Sequence, residues 1–164
     1  MAYDIYDASI PPLIHMLGSL SQVLAKGETH GGIDPNDARL APDMLPLKNQ
    51  VYIATDGAKG CGARLAGVDI PKFEDVETSF ADLRARVAKT IAFLKTLDRK
   101  SFAGAENKEI VLKFPSATLE YKGGDYVNKF VLPNVYFHIT TAYGILRNRG
   151  VVLGKGDYLG GAQA

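Results

Sequence analysis

Tryptophan is absent, cysteine occurs once and histidine three times in 164 residues, and each scarcity removes a class of protein. One cysteine cannot form an internal disulfide, so stability has to come from a packed core. One cysteine and three histidines cannot compose a Cys/His zinc finger. An excess of one charge is missing too: 19 Lys plus Arg stand against 18 Asp plus Glu, a formal net charge of +1. That balance gives nucleic acid and anionic membranes no electrostatic footprint, so neither is expected as a partner. No apolar run approaches the ~20 residues of a membrane-spanning helix. The opening Met1-Ala2-Tyr3-Asp4-Ile5-Tyr6-Asp7 is acidic and lacks the basic start and apolar stretch of a signal peptide. No Asn-x-Ser/Thr acceptor occurs. A soluble cytoplasmic protein is the expectation.

What is present is ordinary globular material, 46% hydrophobic and 23% charged. A chain of this length buries roughly 70% of its unfolded surface in one core, so residues 1–164 are read as a single domain. Ile10, Leu13, Ile14, Leu17, Leu20 and Leu24 recur at steps of three and four, which predicts a helix over about Ser9–Lys26. Ser9 is its expected N-cap, with Pro11 and Pro12 in the first turn and Gly27 as the stop. Residues 27–46, with Gly31-Gly32, Asp34-Pro35 and Pro42, read as a long loop.

A second helix is predicted from Pro46 to Ala66, with Leu47, Val51, Ala54, Ala58, Cys61 and Leu65 on one face. Gly57, Gly60 and Gly62 fall inside it, each costing ~1 kcal/mol relative to Ala. They require a reason: close approach of another backbone, a ligand against the helix, or a break. Cys61 reads as a small buried hydrophobe. Asp56 and Lys59, on the opposite face, read as a solvated pair or as contacts to another element. In the third helix, capped by Thr78, the seam is Phe80, Leu83, Val87, Ile91, Leu94 and Leu97. Arg84, Arg86, Lys89 and Lys95 are placed on its solvated face.

Residues 109–122 switch to β-prone runs around Pro115-Ser116, the pattern of a small hairpin. Asp125 is the expected cap of a fourth helix reaching Arg149, interrupted near Leu132 by Pro133. Residues 151–164 form a Gly-rich tail. The sum is an all-α bundle of four helices with one hairpin before the last.

Phe130, Asn134, His138, Thr141 and Ile145 share one stripe of the fourth helix, and its apolar ends turn the polar middle inward. Buried polar groups need partners. His138 is therefore a core histidine bonded to a neighbouring helix, a pocket residue, or a metal ligand. Gln50 flanks the buried seam of the second helix and is the candidate to line such a pocket with Asn134, His138 and Thr141. As the one inward imidazole, His138 is the candidate general acid/base. His15 reads as a boundary residue, and His30 lies in the long loop. Neither Gly57-Ala58-Lys59-Gly60-Cys61-Gly62 nor Gly150-Val151-Val152-Leu153-Gly154-Lys155-Gly156 has the context of a dinucleotide or phosphate loop. No Gly-x-Ser-x-Gly elbow is present.

Several segments carry a family resemblance: Tyr6-Asp7-Ala8-Ser9, Ala38-Arg39-Leu40-Ala41-Pro42-Asp43-Met44, Ala63-Arg64-Leu65-Ala66-Gly67-Val68, and above all Pro133-Asn134-Val135-Tyr136-Phe137-His138-Ile139-Thr140-Thr141-Ala142-Tyr143-Gly144-Ile145-Leu146-Arg147, running on to Gly154-Lys155-Gly156-Asp157-Tyr158. Nearly the whole chain resembles a domain-of-unknown-function family of the DinB/YfiT-like superfamily. The resemblance implies an up-down-down-up four-helix bundle and a homodimer. It also implies a degenerate metal site. Metal-binding members use one His of the second helix and a His-x-x-x-His pair of the fourth. Here His138 takes the second place of that pair, Asn134 stands in the first, and the second helix offers only Gln50 or Asp56. No metal and no other cofactor is expected.

The function expected is that of a DinB-like bundle without the superfamily metal and with a small-molecule pocket around His138; whether it is an enzyme stays open. Two alternatives stand beside it: a divergent metal-dependent thiol transferase using His138 with non-His partners, and a non-catalytic structural or partner-binding dimer.

Overall fold

The computed structural model describes residues 3–160; the remaining ends of the expected 1–164 domain lie outside the described residues. Three long helices come first: α1 (Ile5–His30), α2 (Leu47–Ala66) and α3 (Phe80–Lys95). Two 3-10 turns, Arg99–Phe102 and Ala105–Asn107, lead into the hairpin β1 (Glu109–Phe114) and β2 (Ala117–Lys122). The fourth rod is composite: α4 (Gly123–Asp125), a π-helical segment (Tyr126–Val131) and α5 (Leu132–Asn148). A short α6 (Lys155–Tyr158) ends the described chain. Among the described residues no helix is long and apolar enough to cross a membrane.

Side-chain contacts give the direction of each helix. Arg99, just after α3, grips Asp4 and Asp7 at the start of α1, while Gly27 at the other end of α1 lies against Phe80 and Leu146. So α1 runs against α3 and alongside α5. Thr55 meets Arg86 and Gly62 meets Leu94, which makes α2 parallel to α3. Gln50 meets His138 and Arg64 meets Tyr126, which makes α2 antiparallel to the fourth rod. This is the up-down-down-up bundle. Its core runs the length of the rods through Leu13, Leu20, Leu47, Leu83, Leu94, Val135 and Ile145. In the antiparallel hairpin, Ile110 and Leu112 turn inward and Val111 outward, as a period of two dictates.

Several boundaries differ from the periodicity. Helix α1 begins at Ile5, because Asp4 and Asp7 form a reciprocal capping box. Ser9 is therefore not the cap; its hydroxyl donates back to the Ile5 carbonyl at 2.6 Å. Pro11 and Pro12 fall in the second turn, where they deprive two carbonyls one turn back of amide donors. Gly27 does not stop the helix. Its missing side chain admits Leu146 and Phe80, either of which an added Cβ would approach to 2.9 Å, and α1 runs on to His30. The cap of α3 is Ser79, again with Asp82 in a capping box, rather than Thr78.

Helix α2 has no break, and two of its interior glycines, Gly57 and Gly62, answer to close approach by side chains of other helices rather than by another backbone. A Cβ at Gly62 would press on Leu94 and Leu97, and one at Gly57 on Val135. The interruption expected near Leu132 takes the form of the π-helical segment, in which the Leu132 amide donates to the Val127 carbonyl five residues back. Asp125 is not a cap but lies inside this rod and pairs with Lys129 at 3.0 Å. The tail is partly helical and docks on α1, with Lys26 on Asp157 at 2.7 Å and the His15 ring on the Leu159 carbonyl at 2.9 Å.

Candidate functional site

Gln50 in the first turn of α2 and His138 in the middle of α5 meet across the helix interface. His138 Nδ1 lies 2.7 Å from Gln50 Oε1, and both residues are buried. The other end of the same amide settles the proton. Gln50 Nε2 donates to the Leu45 carbonyl at 2.9 Å, a role only an NH₂ can fill. The amide oxygen therefore faces the imidazole, and Nδ1 must carry the hydrogen. The neutral ring then keeps its lone pair on Nε2, which has no hydrogen bond among the described residues. Burial lowers the pKa of His138 below the ordinary histidine value and so favours this neutral form.

The linkage has a sign. A histidine with a depressed folded pKa binds fewer protons folded than unfolded, so its stability contribution is complete above about pH 6.5 and declines as pH falls below it. In denaturant melts, the stability difference between wild type and His138→Gln is expected to narrow between pH 7 and pH 5. A difference that stays constant over that range refutes the depressed pKa.

The other two stripe residues do different work. Thr141 is buried, and its hydroxyl donates to the Phe137 carbonyl of its own helix at 2.8 Å. Asn134 is half-buried, its amide nitrogen opposite the side-chain-free face of Gly57. Gln50 and His138 are thus joined, while Thr141 and Asn134 flank them along α5. Phe137 stands edge-on to the imidazole and is half exposed. Cys61 is fully buried in the core, where desolvation pushes its thiol up to about 12, so it is no nucleophile at neutral pH.

The donor set does not match the three-ligand metal pattern of the superfamily. Two side chains beside His138 are neutral amides: Asn134 one turn before it, and Gln50, which directs its oxygen at His138 Nδ1. His15 is tied to the far end of the chain at Leu159, and His30 lies beside Gly150. Among the described residues no three of His, Cys, Asp and Glu gather as a metal would need.

A second polar cluster escaped the sequence reading. Arg86 is buried within α3, not solvated. Its Nε donates to Thr55 Oγ1 at 2.9 Å, Nη2 to Asp56 at 2.9 Å, and Nη1 to the Glu74 carbonyl, Asp75 and Glu77. Its guanidinium also lies 4.6 Å from the centroid of the Tyr52 ring. Asp56 is shared with Lys59, whose ammonium is buried over the Phe73 ring, so the pair is half solvated and, of the two readings, makes contacts to another element. One signal was available: Leu83, Arg86, Val87 and Thr90 follow a three-four spacing that continues the seam. The charge of Arg86 masked it.

Fold and site together define a DinB-like helical bundle in which a buried imidazole is anchored by an amide of the neighbouring helix. The chain belongs to the family described as Domain of unknown function (DUF1993), whose model matches residues 5–159. It is similar to the crystal structure of a DinB family member protein from Shewanella denitrificans, at 37% identity and a TM-score of 0.85 over 97% of this chain and 93% of that one. No curated protein matches the chain.

Proposed function

We propose that this bundle binds a small molecule without a metal, using the Nε2 lone pair of His138 as hydrogen-bond acceptor and, where the bound molecule reacts, as general base. What supports the reading is the chain of donors from His138 Nδ1 to Gln50 to the Leu45 carbonyl. It holds one tautomer at the junction of two helices and leaves the Nε2 lone pair uncommitted among the described residues. Apolar Leu45 and Phe137, both half exposed, stand beside the pair and favour a ligand with an apolar body and a single N–H or O–H donor. The reading includes a homodimer, as the family resemblance implies, and a cytoplasmic location, as expected from the sequence.

Native mass spectrometry of untagged protein tests ligand, metal and copy number together. A non-covalent organic mass is expected on wild type and not on a folded His138→Ala variant, with metal well below one equivalent per chain. Stoichiometric metal would instead favour the thiol-transferase alternative. Imidazole ¹⁵N resonances provide the independent check: Nδ1 protonated and Nε2 bare in wild type, with the preference lost in Gln50→Leu. An Nε2-protonated ring in wild type overturns the proposal.

A further inference from the structure

The last turn of α2 carries a cation, Arg64, whose charge no carboxylate among the described residues neutralises. Lys59 is paired with Asp56, and Arg86 with Asp56, Asp75 and Glu77. Arg64 has no carboxylate partner among the described residues. Its Nη1 donates to the neutral hydroxyl of Tyr126 at 3.1 Å, leaving the remaining guanidinium edge available. The position of the group is set by Gly60, one turn earlier on the same helix. A Cβ there would run into Arg64 Nη1, and the three atoms nearest to it all belong to that guanidinium. The guanidinium thus lies across bare helix backbone, held at one corner by Tyr126.

This fork borders a cleft of about 590 Å³ beneath the connection between α2 and α3, within the range of small-ligand sites. Its apolar wall is Ile70, Pro71 and Phe73, and exposed Lys72 stands at the rim. Lys59 and Asp56 line the same cleft but are paired with each other, which leaves exposed Glu74 to oppose a strongly anionic guest. The geometry points to a binding site for a small organic monocarboxylate: one negative charge on the planar Arg64 fork, which fits a carboxylate in bidentate fashion, and an apolar body against Ile70 and Phe73. A doubly charged phosphate meets the Glu74 carboxylate and has no use for the apolar wall. This site is separate from His138, since Gln50 and Arg64 are about 21 Å apart along α2.

Benzoate is the probe, titrated into the full chain at constant ionic strength with amide chemical shifts as readout. Saturable shifts are expected at Gly60, Arg64, Lys72 and Phe73, with binding at least about tenfold weaker in Arg64→Gln, as loss of a charge-assisted pair implies. Gly60→Ala guards against a folding artefact. It displaces only the flexible end of Arg64 and improves helix propensity, so binding should weaken while the melting temperature holds or rises. His138→Ala should bind benzoate like wild type, which keeps this test apart from that of the His138 reading. Shifts that do not saturate, that persist unchanged in both Arg64→Gln and Gly60→Ala, or that inorganic phosphate reproduces equally would overturn the proposal.

Discussion

Replacing Arg86 by Met is expected to destabilise the fold by about 3 kcal/mol, near the low end for breaking a buried ion pair. The methionine keeps most of the stem volume, so the loss isolates the guanidinium. Removing it strips a donor from buried Thr55 and a counter-charge from Glu77, whose side chain is only 14% exposed. Asp56 and Asp75 are about half exposed and regain water, which is why the upper end of that range is not reached. Arg86→Lys should recover only a small part, because one ammonium cannot serve Thr55, Asp56 and Glu77 together. Denaturant melts give the magnitude. Hydrogen exchange locates it: the connection between α2 and α3, which Arg86 holds through the Glu74 carbonyl, should lose protection first. A loss below 1 kcal/mol would mean that the cluster is a surface network with little net energy.

Gly123→Ala should be the other severe substitution, at about 3 kcal/mol, while Gly124→Ala next to it should be neutral or slightly stabilising. Both glycines sit in α4 with ordinary negative φ, so backbone strain does not distinguish them. Space does. A Cβ on Gly123 would collide with the Ala105 carbonyl oxygen and touch Leu65 at 3.2 Å, where the Gly123 amide also donates to the Lys108 carbonyl at 2.9 Å. Backbone cannot yield there as a side chain can, which puts the cost at the upper end of overpacking. The nearest atom to a Cβ on Gly124 is 3.7 Å away, an ordinary contact, and alanine favours the helix by up to ~1 kcal/mol. Comparable melts for the two variants would refute this account of the junction between hairpin and fourth rod.

Much of the bundle was legible because periodicity reports burial directly. The limits of α2, the hairpin around Pro115-Ser116 and the interruption before Pro133 all follow from local rules about apolar spacing, turns and missing amide protons. The start of α1 was legible in principle, since Asp4 and Asp7 are a capping pair in plain view. Its prolines drew the boundary toward Ser9. Gly27 misled for a different reason: a helix-stopping glycine and a glycine that admits a neighbouring helix look the same until Phe80 and Leu146 arrive.

The candidate sites divide in the same way. That His138 faces inward was a matter of phase along one helix, and Gln50 of phase along another. The hydrogen on Nδ1 was not, because it depends on α2 and α5 bringing Gln50 against the ring, with the other end of its amide on the Leu45 carbonyl. By itself the sequence determined which faces are apolar, hence four rods, one hairpin and one inward imidazole. Tertiary structure alone decided that Arg86 is buried, that Tyr126 holds Arg64 at one corner and that His138 is held in one tautomer. Each of these depends on partners from other elements, and electrostatic pairing across space leaves no period in a chain.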